Sequence, residues 1–352
     1  MQHYFKHTML AAAVVLVTAA PLARAADATE TAAAPAVAAA EREGRLVWYT
    51  TLLGEATQPL VDAFAKRHPA IKVEVVRAAA PLNAAKVVAE AAAGQPVADL
   101  FDGSSTAGLL MARQLVQPYV SPSAATIPAR FKDPDGYWTS TVLYYLTTGY
   151  NPAMIAPDQA PRTWQDLLAP QWRGKMVWSA EQAPTAAQGL VANVLLTMGE
   201  TDGMNYLRAL ARQDIANVNT NPRKILTLVG DKAYPIGLQV MVHHTVMAQH
   251  EGMTVNWVKM APLTATGNAI GIVRGAPHPN AARLMVDFVL SREGQTLLKG
   301  ANHIPSNTLV PTGFPELTDI PVTFISPVQA AAGQDRWNAI LKELFVTPRT
   351  TP

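Results

Sequence analysis

The chain has 352 residues, of which 49% are hydrophobic and 15% charged, and it contains no cysteine. The lack of cysteine excludes disulfides, thiolate metal sites, a cysteine nucleophile and a lipidated N-terminal cysteine. The chain has 28 basic and 26 acidic residues. Two of the basic residues, Lys6 and Arg24, lie in an N-terminal export segment, so the remaining 26 basic residues balance the 26 acidic ones. A chain with neither net charge nor a basic stripe is not expected to bind nucleic acid.

The first 25 residues have the order of an export signal. Lys6 supplies a positive charge, residues 9–22 form an uncharged apolar run, and Ala23-Arg24-Ala25 is a small-residue cleavage site. The apolar run is too short for an ordinary membrane span. We therefore predict cleavage after Ala25 and a soluble exported protein that works outside the cytoplasm.

Strands and helices alternate after the signal. Residues 26–44 form an Ala-rich leader that becomes helical near its end, and a strand over 46–49, a helix over 55–67 and a strand over 71–75 form a β-α-β unit. Further strands are predicted at 97–101, 137–150, 176–178, 215–218, 236–240, 255–258 and 269–273, and further helices at 83–93, 184–198, 202–211, 222–229, 242–250, 280–290 and 292–299. This order predicts an α/β protein with two open, largely parallel sheets.

Catalytic motifs are missing from the sequence. Gly103-Ser104-Ser105-Thr106-Ala107-Gly108 resembles a nucleophile elbow, but its second glycine stands one place too far along. The chain has no phosphate-binding loop, no dinucleotide fingerprint and no zinc-protease motif. We expect no enzyme activity and no cofactor, and a secreted hydrolase is the alternative from another class.

Hydroxyl and amide side chains at strand-to-helix junctions are the predicted ligand contacts. Ligands of open α/β sheets bind beyond the carboxyl ends of the strands, and helix N-termini attract anions. The predicted ligand-binding residues are Thr50, Thr51, Ser104, Ser105, Thr106, Tyr144, Ser179, Thr185, Asn219 and Asn221. Apart from the tyrosine, each can also serve as an ordinary cap or turn residue. Tyr144 and Tyr145 point to opposite faces of their strand, and the sequence leaves open which one is exposed to the ligand.

Two adjacent histidines lie on the predicted helix over 242–250. His243 and His244 point about 100° apart on a helix, whereas a two-histidine metal site usually needs a spacing of three or four residues. We interpret both as solvated or capping side chains and predict no metal site, with metal ligation by His243 and His244 as the less favoured alternative.

Six segments, taken in order, resemble the periplasmic substrate-binding proteins of ABC importers. The resemblance is greatest to the ferric-iron-binding group within the family 1 extracellular solute-binding proteins, and it extends from about Leu46 to Leu309. The segments are Leu46–Thr50, Pro59–Val76, Ala98–Phe101, Pro161–Lys175, Tyr234–Gly237 and Ala281–Gln295. Each segment is a weak signal by itself, and their common order is specific.

The resemblance implies a two-lobe type II periplasmic-binding-protein fold with a hinge and an interlobe ligand cleft. Lobe 1 comprises 45–145 and 263–310, lobe 2 comprises 146–262, and a C-terminal segment, 311–352, packs on the lobes. Hinge strands are expected near 143–150 and 258–269. We expect a soluble periplasmic monomer that delivers a small anionic solute to the permease of an ABC importer, with only peripheral contact to that membrane complex. A sensor that docks on a receptor kinase is the alternative partner arrangement.

The chain departs from the ferric-binding pattern at its metal ligands. Ferric-binding relatives carry an adjacent tyrosine pair, often with a histidine and a glutamate, and the matching positions here are Met241-Val242, Leu53 and Ser104. None of these is a hard anionic oxygen ligand of the kind Fe³⁺ needs. His243 and His244 lie two places beyond the tyrosine positions. The sequence therefore predicts an organic or phosphorus-containing anion as the solute, with ferric iron as the alternative.

Overall fold

The computed structural model describes residues 34–181, 183, 185–314, 317 and 319–346. The predicted export signal, residues 26–33 of the predicted leader and Pro184, where a helix was expected to begin, lie outside the described residues.

Helices and strands alternate along the described chain, as the sequence predicts. The strands are β1 (Arg45–Thr50), β2 (Lys72–Arg77), β3 (Leu100–Asp102), β4 (Val116–Gln117), β5 (Thr139–Tyr150), β6 (Met176–Ser179), β7 (Ala216–Val218), β8 (Ile236–Met241), β9 (Asn256–Trp257), β10 (Leu263–Val273), β11 (Ile304–Pro305) and β12 (Val322–Phe324). The helices are α1 (Ala34–Glu43), α2 (Gly54–Arg67), α3 (Ala80–Ala92), α4 (Ser104–Ala112), α5 (Ala187–Ala211), α6 (Pro222–Gly230), α7 (Val242–His250), α8 (Pro279–Leu290), α9 (Arg292–Gly300) and α10 (Pro327–Leu341).

The strands form one continuous sheet in the order β2-β1-β3-β10-β5-β8-β6-β7. Pairing is parallel at each end, between β1 and its neighbours β2 and β3 and between β6 and its neighbours β7 and β8. In the middle, β10 runs antiparallel to β3 and β5, and β5 runs antiparallel to β8. The prediction of two separate, largely parallel sheets is therefore wrong, because the long strands β5 and β10 join the two parallel halves.

Each half of the sheet is covered by helices and has its own apolar core. In the first half, Trp48 and Phe64 are fully buried on one face and Phe101 lies in a separate cluster. In the second half, Trp178 belongs to one cluster and Ile225 to another. Helices on both faces shield these strands from water, so the strands read as continuous apolar runs.

Among the predicted strands, β3 and β10 begin three or more residues from their predicted starts. β3 begins at Leu100, three residues late, because the N–H groups of Val97 and Ala98 donate to the Glu90 carboxylate at 3.1 Å instead of to a neighbouring strand. β10 begins at Leu263, six residues before the predicted strand. Most of the pairing with β5 comes from the added residues 264–268, so the early start extends the junction between the halves.

Helix α5 combines two predicted helices. Its run from Ala187 to Ala211 is interrupted at Gly199, whose φ of 76° lies in the left-handed region that glycine tolerates. The predicted gap between residues 198 and 202 coincides with this kink.

The C-terminal segment contacts both halves of the sheet. β12 pairs with β10, and α10 begins at a capping box formed by Ser326 and Gln329. α10 packs against α4 of the first half and α5 of the second half. At Gly108 of α4 a Cβ atom would stand 2.5 Å from the Pro327 carbonyl oxygen, so only glycine allows this close approach. The boundaries of the lobes along the chain stay a prediction.

Asp99 connects three segments of the first half. Its fully buried carboxylate accepts hydrogen bonds from the Val47 N–H at 2.8 Å and the His278 N–H at 2.7 Å, and it lies 2.9 Å from the His278 Nδ1 atom. These contacts fix β1 and the loop before α8 to the chain that leads into β3.

We expect Asp99→Ala to lower the free energy of unfolding by about 3 kcal/mol, because two buried N–H groups lose a charged acceptor. Urea denaturation followed by circular dichroism measures the change. Asp158→Ala, at an exposed position, is the control and should alter stability by less than about 0.5 kcal/mol. Equal stability of the two variants would contradict the structural role of Asp99.

Candidate functional site

Tyr144 on β5 marks the place where the two halves of the sheet meet. On one edge of β5, β11 of the first half pairs through Ile304 with Leu143. Farther along β5, the pairing with β8 of the second half starts at Leu146, opposite Met241. Tyr144 therefore lies in the gap between strands that belong to different halves.

Three histidines gather around this tyrosine. His303 directly precedes β11, while His243 and His244 form the first turn of α7, which follows β8. The ring of Tyr144 stacks on His243 with centroids 5.8 Å apart and lies 6.4 Å from His303. His243 lies 4.3 Å from His244 and 6.4 Å from His303. We call these four side chains the Tyr-His cluster.

The interpretation of His243 as a solvated or capping side chain is wrong. Only 3% of His243 is exposed, because the first turn of α7 packs against β5. His244 is partly exposed. The two neighbouring rings tilt at 52° and touch each other instead of diverging into solvent.

The Tyr-His cluster is uncharged at neutral pH. Burial lowers the pKa of His243 well below its usual value, and burial together with the positive charge of Arg223 lowers the pKa of His244 to about 4. Burial also lowers the pKa of His303, although the carboxylate of Glu55 acts in the opposite direction. Burial raises the pKa of Tyr144, with a smaller contribution from Asp102. The tyrosinate is thereby disfavoured as well.

The imidazoles of the cluster have unused hydrogen-bonding capacity. Among the described residues, the buried Nδ1 atoms of His243, His244 and His303 have no hydrogen-bond partner. Buried polar atoms normally have partners, so an unpartnered set in one place points to a missing ligand or water. No group of three or more histidine or carboxylate side chains in the described part of the chain is arranged to hold a metal ion.

The sheet face that carries Tyr144 is polar along the crossing strands. Thr266 pairs directly with Tyr144, so both side chains project from this face, and its buried hydroxyl has no partner in the described residues. At one end, Asp102 accepts from the Thr51 N–H at 2.8 Å, the Thr51 hydroxyl at 2.7 Å and the Asn268 amide at 3.1 Å.

Toward the second half, the hydroxyl of Thr264 accepts hydrogen bonds from the amides of Gln239 and Asn193, both at 3.0 Å. Burial raises the pKa of Asp102, and its hydrogen bonds from Thr51 and Asn268 oppose that rise. Polar side chains from both halves thus lie along the crossing strands, next to the apolar side chains of Val142 and Leu146.

The predicted ligand contacts of the first half have different surroundings. Thr50 is buried and its hydroxyl accepts from the Leu52 N–H at 3.0 Å, while the Thr106 hydroxyl donates to the Ala80 carbonyl at 3.2 Å. The buried Ser104 hydroxyl has no hydrogen-bond partner among the described residues. Ser105 lines a cavity of about 140 Å³ between α4, α5 and α10.

The predicted contacts of the second half lie at the ends of β6 and β7. Ser179 is buried and donates to the Thr220 carbonyl, whereas Asn219 is exposed. Asn221 caps α6 by accepting from the Lys224 N–H at 3.1 Å. Thr185 is partly exposed and precedes α5. Ligand contact at all ten predicted positions stays a prediction, and Tyr144 is the one that lies in the Tyr-His cluster.

Sequence reasoning missed several polar residues of this region, among them Gln239, His303, Thr266 and Asn268. Gln239 and His303 stand in segments without a recognisable motif, and Thr266 and Asn268 fall before the predicted start of β10. An earlier start of β10 could have been suggested by the alternating threonines in Leu263-Thr264-Ala265-Thr266. No comparable signal exists for His303, because its position depends on the pairing of β11 with β5.

The unfolding free energy of the unliganded protein should fall as the pH decreases from 6.5 to about 4. The unfolded chain takes up a proton on His244 near pH 6.5, and the folded chain does so only near pH 4, so stability is lost across this window. We expect His244 to account for about 2 kcal/mol between pH 7 and pH 5. Urea denaturation at both pH values should show a smaller loss for His244→Gln than for the parent, and His250→Gln, at an exposed position, serves as the control. An unchanged loss in His244→Gln would contradict the buried, neutral state of this side chain.

Comparisons with known proteins bear on this region. A family model for bacterial extracellular solute-binding proteins matches residues 95–326. The chain is 21% identical to a Fe(3+)-binding periplasmic protein of Serratia marcescens over 273 residues, which is 75% of this chain and 79% of the relative. It is 24% identical to a putative 2-aminoethylphosphonate-binding periplasmic protein of Salmonella typhimurium over 195 residues, 53% of this chain and 55% of the relative.

The solved structures show the same fold. The periplasmic binding protein AfuA of Actinobacillus pleuropneumoniae, with exogenous fructose-6-phosphate bound, superimposes with a TM-score of 0.69 at 20% identity. The match covers 87% of this chain and 99% of that one. The predicted two-lobe type II periplasmic-binding-protein fold is thereby confirmed. No helix among the described residues has the length and apolar character that crossing a membrane requires.

Proposed function

We propose that this chain, which belongs to the family of bacterial extracellular solute-binding proteins, captures a small anionic solute between its lobes and delivers it to the permease of an ABC importer. Periplasmic solute binding is common to its relatives, and the anionic nature of the solute is our proposal.

The observation that carries this proposal is the set of unpartnered polar groups at the junction of the two halves. The Nδ1 atoms of three histidines and the hydroxyl of Thr266 are buried there without hydrogen-bond partners among the described residues, as is the hydroxyl of Ser104 at the start of α4. A ligand that accepts hydrogen bonds would satisfy groups from both halves at once. Binding of this kind favours the closed arrangement of the lobes through its differential affinity.

An organic or phosphorus-containing anion suits these groups better than ferric iron does. Fe³⁺ prefers anionic oxygen ligands, and Met241 and Val242 occupy the positions that match the tyrosine pair of ferric-binding relatives. Tyr144 does not replace that pair readily, because its raised pKa opposes ionisation. Relatives include a putative phosphonate-binding protein, and a solved structure of the same fold holds a sugar phosphate.

The site offers little support for a hydrolase. A serine nucleophile needs an adjacent base, and the Ser104 hydroxyl has no hydrogen-bond partner among the described residues. We infer that the chain acts by binding and release, as a monomer that contacts a small-molecule solute and a membrane permease. Gene neighbours that encode a permease and an ATPase would distinguish this arrangement from a sensor that docks on a receptor kinase.

Binding of a panel of small anions tests the proposed function. We expect at least one phosphonate, phosphate ester or carboxylate to bind the unliganded protein in isothermal titration calorimetry and to reduce its radius of gyration in small-angle scattering. Ser104→Ala should weaken that binding about tenfold, the effect of losing a hydrogen bond to a charged group. Thr201→Ala, at an exposed position on α5, should bind as the parent does. Failure of every anion to bind would contradict the proposal.

Ferric citrate should leave the purified protein colourless. Tyrosinate ligation of Fe³⁺ would produce a visible charge-transfer band, and the matching tyrosine pair is missing. Absorption spectra recorded before and after addition of ferric citrate, with Tyr144→Phe as the comparison, measure this. A strong visible band that disappears in Tyr144→Phe would replace the anion proposal with ferric transport.

A further inference from the structure

The Tyr-His cluster draws its imidazoles from both halves of the protein. His303 belongs to the segment that pairs with β5 from the first half, and His243 and His244 belong to α7 of the second half. All three Nδ1 atoms are buried and lack partners among the described residues. Only 3% of His243 is exposed, so solvent does not supply the missing partner of its Nδ1 atom. A ligand that satisfied these atoms would bridge the two halves at the gap beside Tyr144.

The cluster has no fixed positive charge directed at such a ligand. Arg223 lies near His243 and His244, but its guanidinium donates to the His244 carbonyl at 2.6 Å and to the Glu251 carboxylate at 2.7 Å. The imidazoles contact one another ring to ring, and they are not arranged as a group that could hold a metal ion. Neutral imidazoles in this arrangement can donate N–H groups to an anion.

The three histidines differ in the charges that face them. Arg223 on α6 opposes protonation of His243 and His244, and Glu251, next to the end of α7, is the ion-pair partner of Arg223. Glu55 on α2 favours protonation of His303. Tyr144 on β5 faces His243 and His303 as a neutral phenol. His303 is therefore the member of the cluster on which a positive charge costs least.

We propose that the three imidazoles bind the doubly charged end of a phosphate ester or phosphonate, with His243 and His244 as neutral N–H donors and His303 as the group that takes up a proton from solvent when the anion binds. This inference rests on the proposed function and specifies both the class of solute and the source of the compensating charge.

The physical reason is the cost of a charge in a buried site. Without a ligand, an imidazolium on His303 loses water and is repelled by any positive charge on the neighbouring rings. A dianion that accepts a hydrogen bond from His303 stabilises its imidazolium form, so the pKa of His303 is higher in the complex than in the free protein. Between those two values, binding is accompanied by proton uptake, and affinity for the dianion falls as the pH rises through the value in the complex.

Calorimetric proton counting tests this inference directly. Monomethyl phosphate is titrated into the unliganded protein at pH 8 in buffers of different ionisation enthalpy. At this pH the ester is already a dianion, since its second pKa is about 6, so any proton taken up goes to the protein. We expect net uptake of up to about one proton per anion bound. Monomethyl sulfate has the same shape with one charge less, and we expect it to bind at least about tenfold more weakly.

Variants assign the proton to its site. His303→Gln should abolish the uptake, and Glu55→Gln, a change at an exposed position outside the core, should reduce it. His244→Gln should weaken binding about tenfold through the lost hydrogen bond while the uptake persists. His250→Gln, on the exposed end of α7, should leave affinity and proton count unchanged.

The outcomes separate the two proposals. Binding of monomethyl phosphate without proton uptake, or uptake that persists in both His303→Gln and Glu55→Gln, would overturn the role of His303 and leave anion binding intact. Failure of monomethyl phosphate to bind while a carboxylate binds would overturn the phosphate or phosphonate class alone. Failure of every anion would contradict the proposed function together with this inference.

Discussion

The structure depends on two long strands that belong to both halves of the sheet. β5 and β10 pair with each other over most of their length, and each also pairs with a strand of one parallel half. A sheet that is continuous through these strands can bend there without losing its core, because the apolar clusters lie to either side. The same continuity creates the gap beside Tyr144, where the partner of β5 changes from β11 to β8.

That gap explains why polar groups collect at the junction. Strand edges and helix N-termini leave backbone groups that need partners, and hydroxyl, amide and imidazole side chains lie near them at this junction. Some of these polar groups satisfy one another, as Thr51, Asp102 and Asn268 do. Others, including the Nδ1 atom of His303, are left without a described partner. The first set stiffens the site, and the second set is available to a solute.

Electrostatics separates this site from one built for a hard cation. Ionisation of Tyr144 is opposed by burial and by the nearby Asp102, and burial lowers the pKa of all three histidines, with Arg223 acting in the same direction on His243 and His244. A site of neutral donors avoids the cost of burying a permanent charge when no solute is present. In the proposed mechanism, uptake of a proton adjusts the charge of the site when an anion binds, and this links binding to pH.

The sequence by itself determined the α/β class, most helices and the general order of the elements, since these follow from local periodicity and from caps such as Asn221. It also indicated, through an ordered set of short segments, the resemblance that the fold confirms. Local pattern could not show that one sheet joins the halves, because Thr264 and Thr266 acquire strand structure by pairing with β5. Nor could it bring His303 to His243 and His244, about sixty residues earlier, or decide that Tyr144 and not Tyr145 faces them. These arrangements depend on strand register, which is fixed only when distant segments pack together.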